Sequence, residues 1–225
     1  MTLRGFTVLF DPANLRFLWW GFEVTLQIAV WTIALSLAGG LVLGVARFAG
    51  ENARGNPALR IVGILAGFYI ELFRNLPMLL IMLAARFWSH LHPVPAAIAG
   101  MSLYTAAVMA EIVRAGLNGV GRSQWEASAA QGFTYLQTLR YVILPQGLRK
   151  VIPPLVGQFI TVVKDTSYAW GLGVQEITGS GTIIFAKYLN PMETFTLIGL
   201  VYFVTNFSMA LAARGLERRL ARRTY

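Results

Sequence analysis

Long apolar segments dominate the sequence and restrict what it can fold into. The clearest one runs from Phe22 to Ala46, and its only charged residue is Glu23 at the outer end. A helix needs about 20 predominantly apolar residues to cross the hydrocarbon core of a bilayer. Hydrophobic residues make up 56% of the chain and charged residues only 13%, which is too apolar for a soluble domain. The sequence therefore predicts an all-α, multi-span membrane protein.

The apolar segments can be read as about five transmembrane helices within a single domain, residues 1–225. The predicted spans cover residues 22–46, 60–88, 95–114, 152–172 and 194–214. Pro153-Pro154 is expected to open the fourth span. The stretch from Gly171 to Glu193 is rich in glycine and polar residues, so we expect an outer loop that holds a re-entrant helix.

The formal net charge of +9 would by itself suit a protein that binds nucleic acid. The Lys and Arg residues, however, cluster at the ends of the apolar segments, where membrane proteins use them to set orientation. We therefore expect no nucleic-acid partner.

The distribution of basic residues predicts how the chain is oriented in the membrane. One set of loops and the tail are rich in them: Arg47, Arg54, Arg60, Arg122, Arg140, Arg149, Lys150, Arg214, Arg218, Arg219, Arg222 and Arg223. The opposite set holds little beyond Arg4, Arg16 and Lys187. The rich side is cytoplasmic by the positive-inside rule. With five spans, the N-terminus lies outside and the C-terminus in the cytoplasm.

Several kinds of catalytic and metal site are not expected. The chain has no cysteine, which excludes disulfides, thiolate catalysis and cysteine-based metal sites. His90 and His92 form an H-x-H pair, but no third metal ligand accompanies them and histidines in loops are usually solvated. The G-x-x-x-x-G-K-[ST] phosphate loop does not occur, so any ATP hydrolysis belongs to another chain.

The connector between the third and fourth spans, residues 118–146, contains the longest central stretch that cannot cross a membrane. Ser123 and Glu126 have the S-x-x-E spacing of a capping box, so Ser123 is expected to cap a helix. Gly132 is expected to break that helix, and Leu144-Pro145 to forbid its continuation. Apolar residues recur at helical spacing along one face: Trp125, Ala129, Phe133 and Leu136. Two short helices with a flexible corner are predicted to dock onto a partner.

The connector resembles a loop found in permease subunits of bacterial ATP-binding cassette importers. Glu126-Ala127-Ser128, Gly132 and Val142-Ile143-Leu144-Pro145 follow its EAA-x3-G-x9-I-x-L-P pattern, with Ser128 in place of the second alanine and Val142 in place of the isoleucine. The resemblance implies that this EAA loop fits a groove on a separate ATPase subunit. The implied coupling residues are Glu126, Ala127, Ser128, Gly132, Leu144 and Pro145. The alternative is an amphipathic helix that lies on the membrane surface.

Three further phrases resemble the polar amino-acid branch of these importers, the histidine, glutamine and glutamate–aspartate type. Glu71 to Pro77 is similar to E-x-x-R-G-T-P, Glu111 to Gly116 to E-x-x-R-x-G, and Lys164 to Ser167 matches K-D-T-S. The resemblance implies import of glutamate, aspartate, glutamine, histidine or arginine by alternating access. The fold implied is that of a type I importer permease in the bacterial inner membrane.

The same resemblance implies a set of partners. They are two ATP-binding subunits, a second permease that is identical or paralogous, and a periplasmic or lipid-anchored amino-acid-binding protein, all in contact with membrane lipid. No cofactor is expected on this chain, because ATP and Mg²⁺ would be used by the ATPase. The chain is expected to be a transport subunit and not an enzyme.

Charged residues inside the predicted spans are candidates for function, because each costs about 2.5–3.5 kcal/mol at the bilayer centre on insertion scales. The candidates for a substrate pathway are Glu71, Arg74, Pro77, Lys164, Asp165 and Thr166; Glu111 and Arg114 are candidates for structure or gating. Their mixed signs favour a zwitterionic substrate. The alternative is an ion-pair network that fixes helix packing, with Glu71–Arg74 and Glu111–Arg114 paired at i,i+3 spacing.

Two other functional classes are open from the sequence. A membrane-embedded enzyme would need a Ser–His or metal constellation at depth, and both histidines lie in one external loop. A channel-like or secondary-transporter subunit would not need the docking connector. ATP dependence of uptake separates the importer from both alternatives.

Overall fold

The computed structural model describes residues 3–53 and 56–221, and within them every regular element is helical. The helices are α1 (Leu3–Leu9), α2 (Pro12–Glu51), α3 (Pro57–Asn75), α4 (Met78–Trp88), α5 (Pro93–Asn118), α6 (Arg122–Ala130), α7 (Tyr135–Thr138), α8 (Leu144–Asp165), α9 (Ile177–Tyr188) and α10 (Pro191–Ala221). A π-helical turn (Leu139–Ile143) precedes α8 and a 3-10 helix (Thr166–Leu172) follows it. The all-α prediction is confirmed. Arg54, Arg222 and Arg223, used in the orientation argument, lie outside the described residues.

Three helices of the described chain, α2, α5 and α10, are individually long and apolar enough to cross a membrane. The pair α3 and α4 qualifies only when taken together, and it is bent by 103° at the break. The predicted fourth span, residues 152–172, falls on α8 and the 3-10 helix. The uncharged run of α8, residues 151–163, is shorter than the roughly 20 residues that a straight crossing needs.

The bend between α3 and α4 lies in the E-x-x-R phrase and follows from Pro77. Leu76 precedes this proline and has an extended backbone (φ −93°, ψ 140°), as steric conflict with the proline ring requires. The start of α3 is also encoded locally. Pro57 occupies its first turn, and the Asn56 side chain accepts a hydrogen bond from the Leu59 N–H at 3.2 Å.

Two expectations about prolines were wrong. Pro145 does not end a helix: it lies in the first turn of α8. The π-helical turn before it keeps the chain helical from α7 onward. Pro153-Pro154 lies inside α8 and does not open it.

The start of the connector helix also differs from the expectation. Its N-cap is Gly121, which has no side chain to cap with, so Ser123 lies inside α6 and is not the cap. A capping box occurs instead at α7. The Gln137 N–H donates to the Thr134 hydroxyl at 3.4 Å, and the Thr134 N–H donates to the Gln137 side chain at 2.8 Å.

The helices fall into two compact units. Unit 1 comprises Met1–Thr32, Met78–Met101 and Phe159–Tyr225, and unit 2 comprises Ile33–Pro77 and Ser102–Gln158. The long helices α2, α5 and α8 each contribute to both. The connector belongs to unit 2.

Glycines let the helices of unit 2 approach closely. A Cβ on Gly40 would lie 2.6 Å from the Met109 Cβ on α5, so only glycine fits there. A Cβ on Gly63 of α3 would lie 2.6 Å from the Cα of Gly50 on α2. Close contact through small residues is the usual means of packing helices in membranes, where lipid is as apolar as leucine.

In unit 1 a buried carboxylate organises the segment after the 3-10 helix. Glu176 is fully buried and caps α9, accepting hydrogen bonds from the backbone N–H groups of Thr178 and Gly179 at 2.9 Å. The Ile177 N–H donates to the Thr25 hydroxyl of α2 at 3.1 Å. Unit 1 therefore has a buried polar centre around Glu176.

Candidate functional site

The first three residues of the connector motif, Glu126-Ala127-Ser128, lie on α6. Glu126 is exposed and accepts from the Arg122 guanidinium at 3.0 Å, one helical turn earlier. Ala127 is also exposed, whereas Ser128 is buried and its hydroxyl donates to the Gln124 carbonyl at 2.7 Å. The outer face of α6 thus presents the acidic residue, and the serine hydroxyl bonds to the helix itself.

Gly132 forms the corner between α6 and α7. Its φ is +80°, in the left-handed region that favours glycine, so the interruption predicted at this residue is present. A Cβ at this position would meet nothing within 4 Å among the described residues. The corner therefore depends on backbone conformation and not on close packing. At the far end of the connector, Leu144 is half-buried and Pro145 is exposed.

An open groove of about 470 Å³ runs beside α6 and α7. It is lined by charged, polar and aromatic side chains: Asn52, Arg122, Trp125, Glu126, Ala129, Phe133, Tyr135 and Thr138. The apolar face predicted for the connector borders this groove and is partly exposed, with Phe133 at 39% and Leu136 at 57% exposure. A surface of this mixed character suits contact with a protein partner.

Aromatic side chains fasten the connector to the last turn of α2. The rings of Trp125 and Tyr135 stack with centroids 5.5 Å apart, and Trp125 also packs against Phe48, 6.3 Å away. The Tyr135 hydroxyl donates to the Ala49 carbonyl at 2.9 Å. Burial raises the pKa of Tyr135 to about 12, so the hydroxyl keeps its proton and remains a donor at neutral pH.

Two further hydrogen bonds hold the ends of the connector near each other. The Gln146 side-chain amide donates to the Gln124 side chain at 3.1 Å, which joins α8 to α6. The Lys150 ammonium donates to the Gly119 carbonyl at 2.6 Å. The connector is therefore braced at both ends.

A cluster of five charged side chains joins α2, α3 and α5 within unit 2. Glu51 is its centre, with Arg47 Nε at 2.7 Å and Arg114 Nη1 at 3.4 Å. Arg114 also makes two hydrogen bonds to Glu111, at 2.5 and 2.9 Å. Arg47 Nη1 reaches Glu71 at 3.7 Å. Of the two i,i+3 pairs considered from the sequence, Glu111–Arg114 is present, but among the described residues Glu71 pairs with Arg47 and not with Arg74.

The other residues of the E-x-x-R phrase lie at the C-terminal end of α3 and the bend after it. Glu71, Arg74 and Pro77 are all exposed. The Asn75 side chain donates to the Glu71 carbonyl at 2.7 Å, within the last turn of α3.

The K-D-T-S residues lie in unit 1, where α8 passes into the 3-10 helix. Lys164 is exposed and Asp165 half-buried. Thr166 is fully buried, donates to the Val163 carbonyl at 2.8 Å, and lies 3.5 Å from the Tyr202 hydroxyl. The Tyr202 hydroxyl in turn donates to the Glu176 carboxylate at 3.0 Å. Thr166 thus adjoins the polar centre around Glu176.

Arg47, Glu51, Tyr135 and Glu176 were not among the residues singled out from the sequence. Arg47 was assigned to a loop after the first span, whereas α2 continues to Glu51. The i,i+4 spacing of Arg47 and Glu51 was the available signal. Tyr135 and Glu176 carried no signal of their own, because their partners are far away in the chain. Among the described residues no group of three or more His, Asp or Glu side chains could hold a metal ion.

The sequence matches the family model described as binding-protein-dependent transport system inner membrane component over residues 43–222. The probable glutamine ABC transporter permease protein GlnP of Bacillus subtilis is 36% identical, and the alignment covers 93% of this chain and 96% of that protein. The glutamate transport system permease protein GluD of Corynebacterium glutamicum is 30% identical, over 89% of this chain and 72% of that protein. The glutamine transport system permease protein GlnP of Escherichia coli is also 30% identical, over 86% and 90% respectively.

Solved structures show the same fold. A crystal structure of an amino acid ABC transporter with histidines has a TM-score of 0.85 at 23% identity, covering 97% of this chain and all of that chain. An inward-facing structure of the MetNI methionine ABC transporter has a TM-score of 0.79 at 20% identity, covering 93% and 99%. At this level of identity the likeness concerns the fold alone.

Proposed function

Because the chain belongs to the family of binding-protein-dependent transport system inner membrane components, we propose that it forms the membrane pathway of an ATP-driven importer of polar amino acids. It is a transport subunit of the amino-acid ABC transporter class and not an enzyme. The observation that carries the proposal is the connector, an exposed helix that bears Glu126 and ends in a glycine corner. Aromatic packing and a hydrogen bond fasten it to the end of α2.

The connector is the proposed docking surface for the ATPase subunits, which bind ATP and Mg²⁺. Glu126 and Ala127 face outward on α6, and the groove beside them combines charge with exposed aromatic surface. Gly132 allows the chain to turn sharply, and Leu144 and Pro145 begin the helix that returns to the membrane. Ser128 supports the helix from its buried side.

The proposed substrate pathway uses charged residues that the packing leaves exposed or half-buried. Glu71, with 58% of its side chain exposed, and Arg74 lie together at the end of α3; Lys164 and Asp165 lie together at the end of α8. Charged groups on apolar helices are far more costly against lipid than along a polar path. Each set offers one acidic and one basic group, which suits the ammonium and carboxylate of an amino acid. Pro77 and Thr166 complete the proposed path.

Glu111 and Arg114 have a structural role in this proposal. They pair with each other and, through Arg114, with Glu51, so their charges are satisfied within the protein. The pair tethers α5 to the end of α2 and leaves little capacity to bind a substrate.

The proposed assembly contains two ATP-binding subunits, a second permease, identical or paralogous, and an external binding protein. The polar amino acids named for the relatives support glutamine or glutamate as the first substrates to test. In this proposal the connector and the C-terminus lie in the cytoplasm and the N-terminus outside, which the excess of Lys and Arg on one side of the spans supports.

Reconstitution into vesicles tests the proposal directly. The chain, its ATPase and its binding protein are incorporated together, and uptake of labelled glutamine and glutamate is measured with ATP and without it. We expect uptake that requires both ATP and the binding protein. Uptake that continues without ATP would instead indicate a channel or a secondary transporter.

A further inference from the structure

We infer that the end of α2, residues 47–51, transmits movement from the connector to the charged cluster on α3 and α5. Tyr135 is the positioning residue that links the connector to this turn. The inference rests on the proposed function, because it assumes that an ATPase moves the connector. All the residues involved lie in unit 2.

On one side, the turn is held by the connector. The Tyr135 hydroxyl donates to the Ala49 carbonyl at 2.9 Å, and Trp125 packs between the rings of Phe48 and Tyr135. Phe48 is only 2% exposed, so its ring is enclosed by its neighbours. Close-packed contacts of this kind move together, because a small gap already forfeits much of the contact energy.

On the other side, the same turn carries the centre of the charged cluster. Arg47 and Glu51 are four residues apart, pair at 2.7 Å, and share one helix face. Glu51 reaches Arg114 of α5 at 3.4 Å, and Arg47 reaches Glu71 of α3 at 3.7 Å. A displacement of this turn must therefore change the distances within the cluster.

The geometry of the turn makes it a rigid link. The turn belongs to one continuous α-helix. The backbone hydrogen bonds of that helix prevent the face with Phe48 and Ala49 from moving separately from the face with Arg47 and Glu51. Gly50 lies between them and contacts Gly63 so closely that a side chain fits on neither. Motion of the turn is thereby coupled to α3 as well.

The link also bears on transport, because Glu71 belongs to the proposed substrate pathway. Movement of the connector would reach the Arg47–Glu71 pair through this one helical turn. Contact alone does not demonstrate coupling, so the test must measure coupling between positions.

The experiment uses the complete complex in vesicles and compares the wild type with Tyr135→Phe. This change removes the hydroxyl and keeps the ring that stacks on Trp125. We expect the ATPase to remain bound and the protein to remain folded, while amino acid transported per ATP hydrolysed falls about fivefold, the equivalent of one hydrogen bond. Unchanged transport per ATP would overturn the inference.

Tyr141→Phe is the matched control. Tyr141 lies in the same connector, is 62% exposed, and its hydroxyl has no hydrogen bond among the described residues. We expect transport per ATP to stay at the wild-type level. An equal loss in both variants would show that any missing hydroxyl in the connector has this effect, and would also overturn the inference.

A double-mutant cycle with Glu51→Gln tests whether the two ends of the link act together. Since both changes interrupt one path, we expect the double variant to lose about as much coupling as the more impaired single variant. If the double variant instead lost transport per ATP by the product of the two single losses, transmission through the turn would be refuted. Failure of the proposed function itself is distinguishable, because the wild-type complex would then show no ATP-driven uptake.

Discussion

The Tyr202 hydroxyl of α10 donates a hydrogen bond of 3.0 Å to the buried carboxylate of Glu176, which lies 26 positions earlier in the chain. The same carboxylate lies 3.4 Å from the Thr25 hydroxyl of α2 and caps α9. One acidic side chain therefore ties three helices of unit 1 together, and every partner around it is a donor.

We predict that Glu176→Ala destabilises the protein by about 2 kcal/mol, because it removes the cap of α9 and leaves buried donors without an acceptor. Thermal unfolding of the purified protein in detergent measures this effect. Glu23→Ala is the control, since Glu23 is exposed and only its contact with Trp19 is lost. Equal unfolding temperatures for the two variants would contradict a structural role for Glu176.

Gly132→Asp is predicted to leave membrane insertion intact and to abolish ATP-driven uptake. The substitution places a charge at the corner of the proposed docking surface, where nothing in unit 2 opposes it sterically. Gly132→Asn is the matched control, because asparagine has the same shape and tolerates positive φ to a similar degree. Uptake by the aspartate variant at the wild-type rate would argue against docking at this corner.

Gly63→Val is predicted to separate α2 from α3 and to lower stability by about 1–3 kcal/mol, the usual cost of overpacking. A Cβ alone would already lie 2.6 Å from the Gly50 Cα. Gly199→Ala on α10 is the control, since a Cβ there meets nothing within 4 Å among the described residues. Thermal unfolding should show a loss for the first variant and no loss for the second; the opposite order would disprove the close contact.

Arg114→Gln is predicted to destabilise unit 2 by about 2 kcal/mol, because it removes the guanidinium that pairs with both Glu111 and Glu51. Arg122→Gln serves as the comparison. Its pair with Glu126 is 88% and 66% exposed, and exposed ion pairs contribute little to stability. Chemical denaturation in detergent should separate the two variants. Equal midpoints would mean that the cluster does not hold α5 to α2.

The connector shows how far local reasoning extends. The corner at Gly132 was predictable, because a glycine between two amphipathic pieces needs nothing outside the segment. The cap at Ser123 was predicted wrongly, since the helix begins one residue earlier, at Arg122, and the S-x-x-E spacing therefore lies inside α6. Local signals identify what a segment can do, and neighbouring residues decide which option is used.

The prolines also show that a local signal does not by itself fix a helix boundary. Pro77 lies within the span predicted over residues 60–88, and the chain bends there by 103° between α3 and α4. Pro145 and Pro153-Pro154 were expected to mark helix boundaries, yet the first opens α8 and the others lie within it. The energetic cost of an internal proline is local, but whether packing compensates for it depends on the whole helix.

The sequence alone determined the all-α membrane fold, the connector and the family resemblance, because hydrophobic length and motif spacing are properties of consecutive residues. Only the tertiary structure decided that Glu71 pairs with Arg47, that Tyr135 bonds to Ala49, and that Glu176 joins three helices. These partners come from different helices. Which side chains meet is set by how the helices pack, and no spacing along the chain encodes that directly.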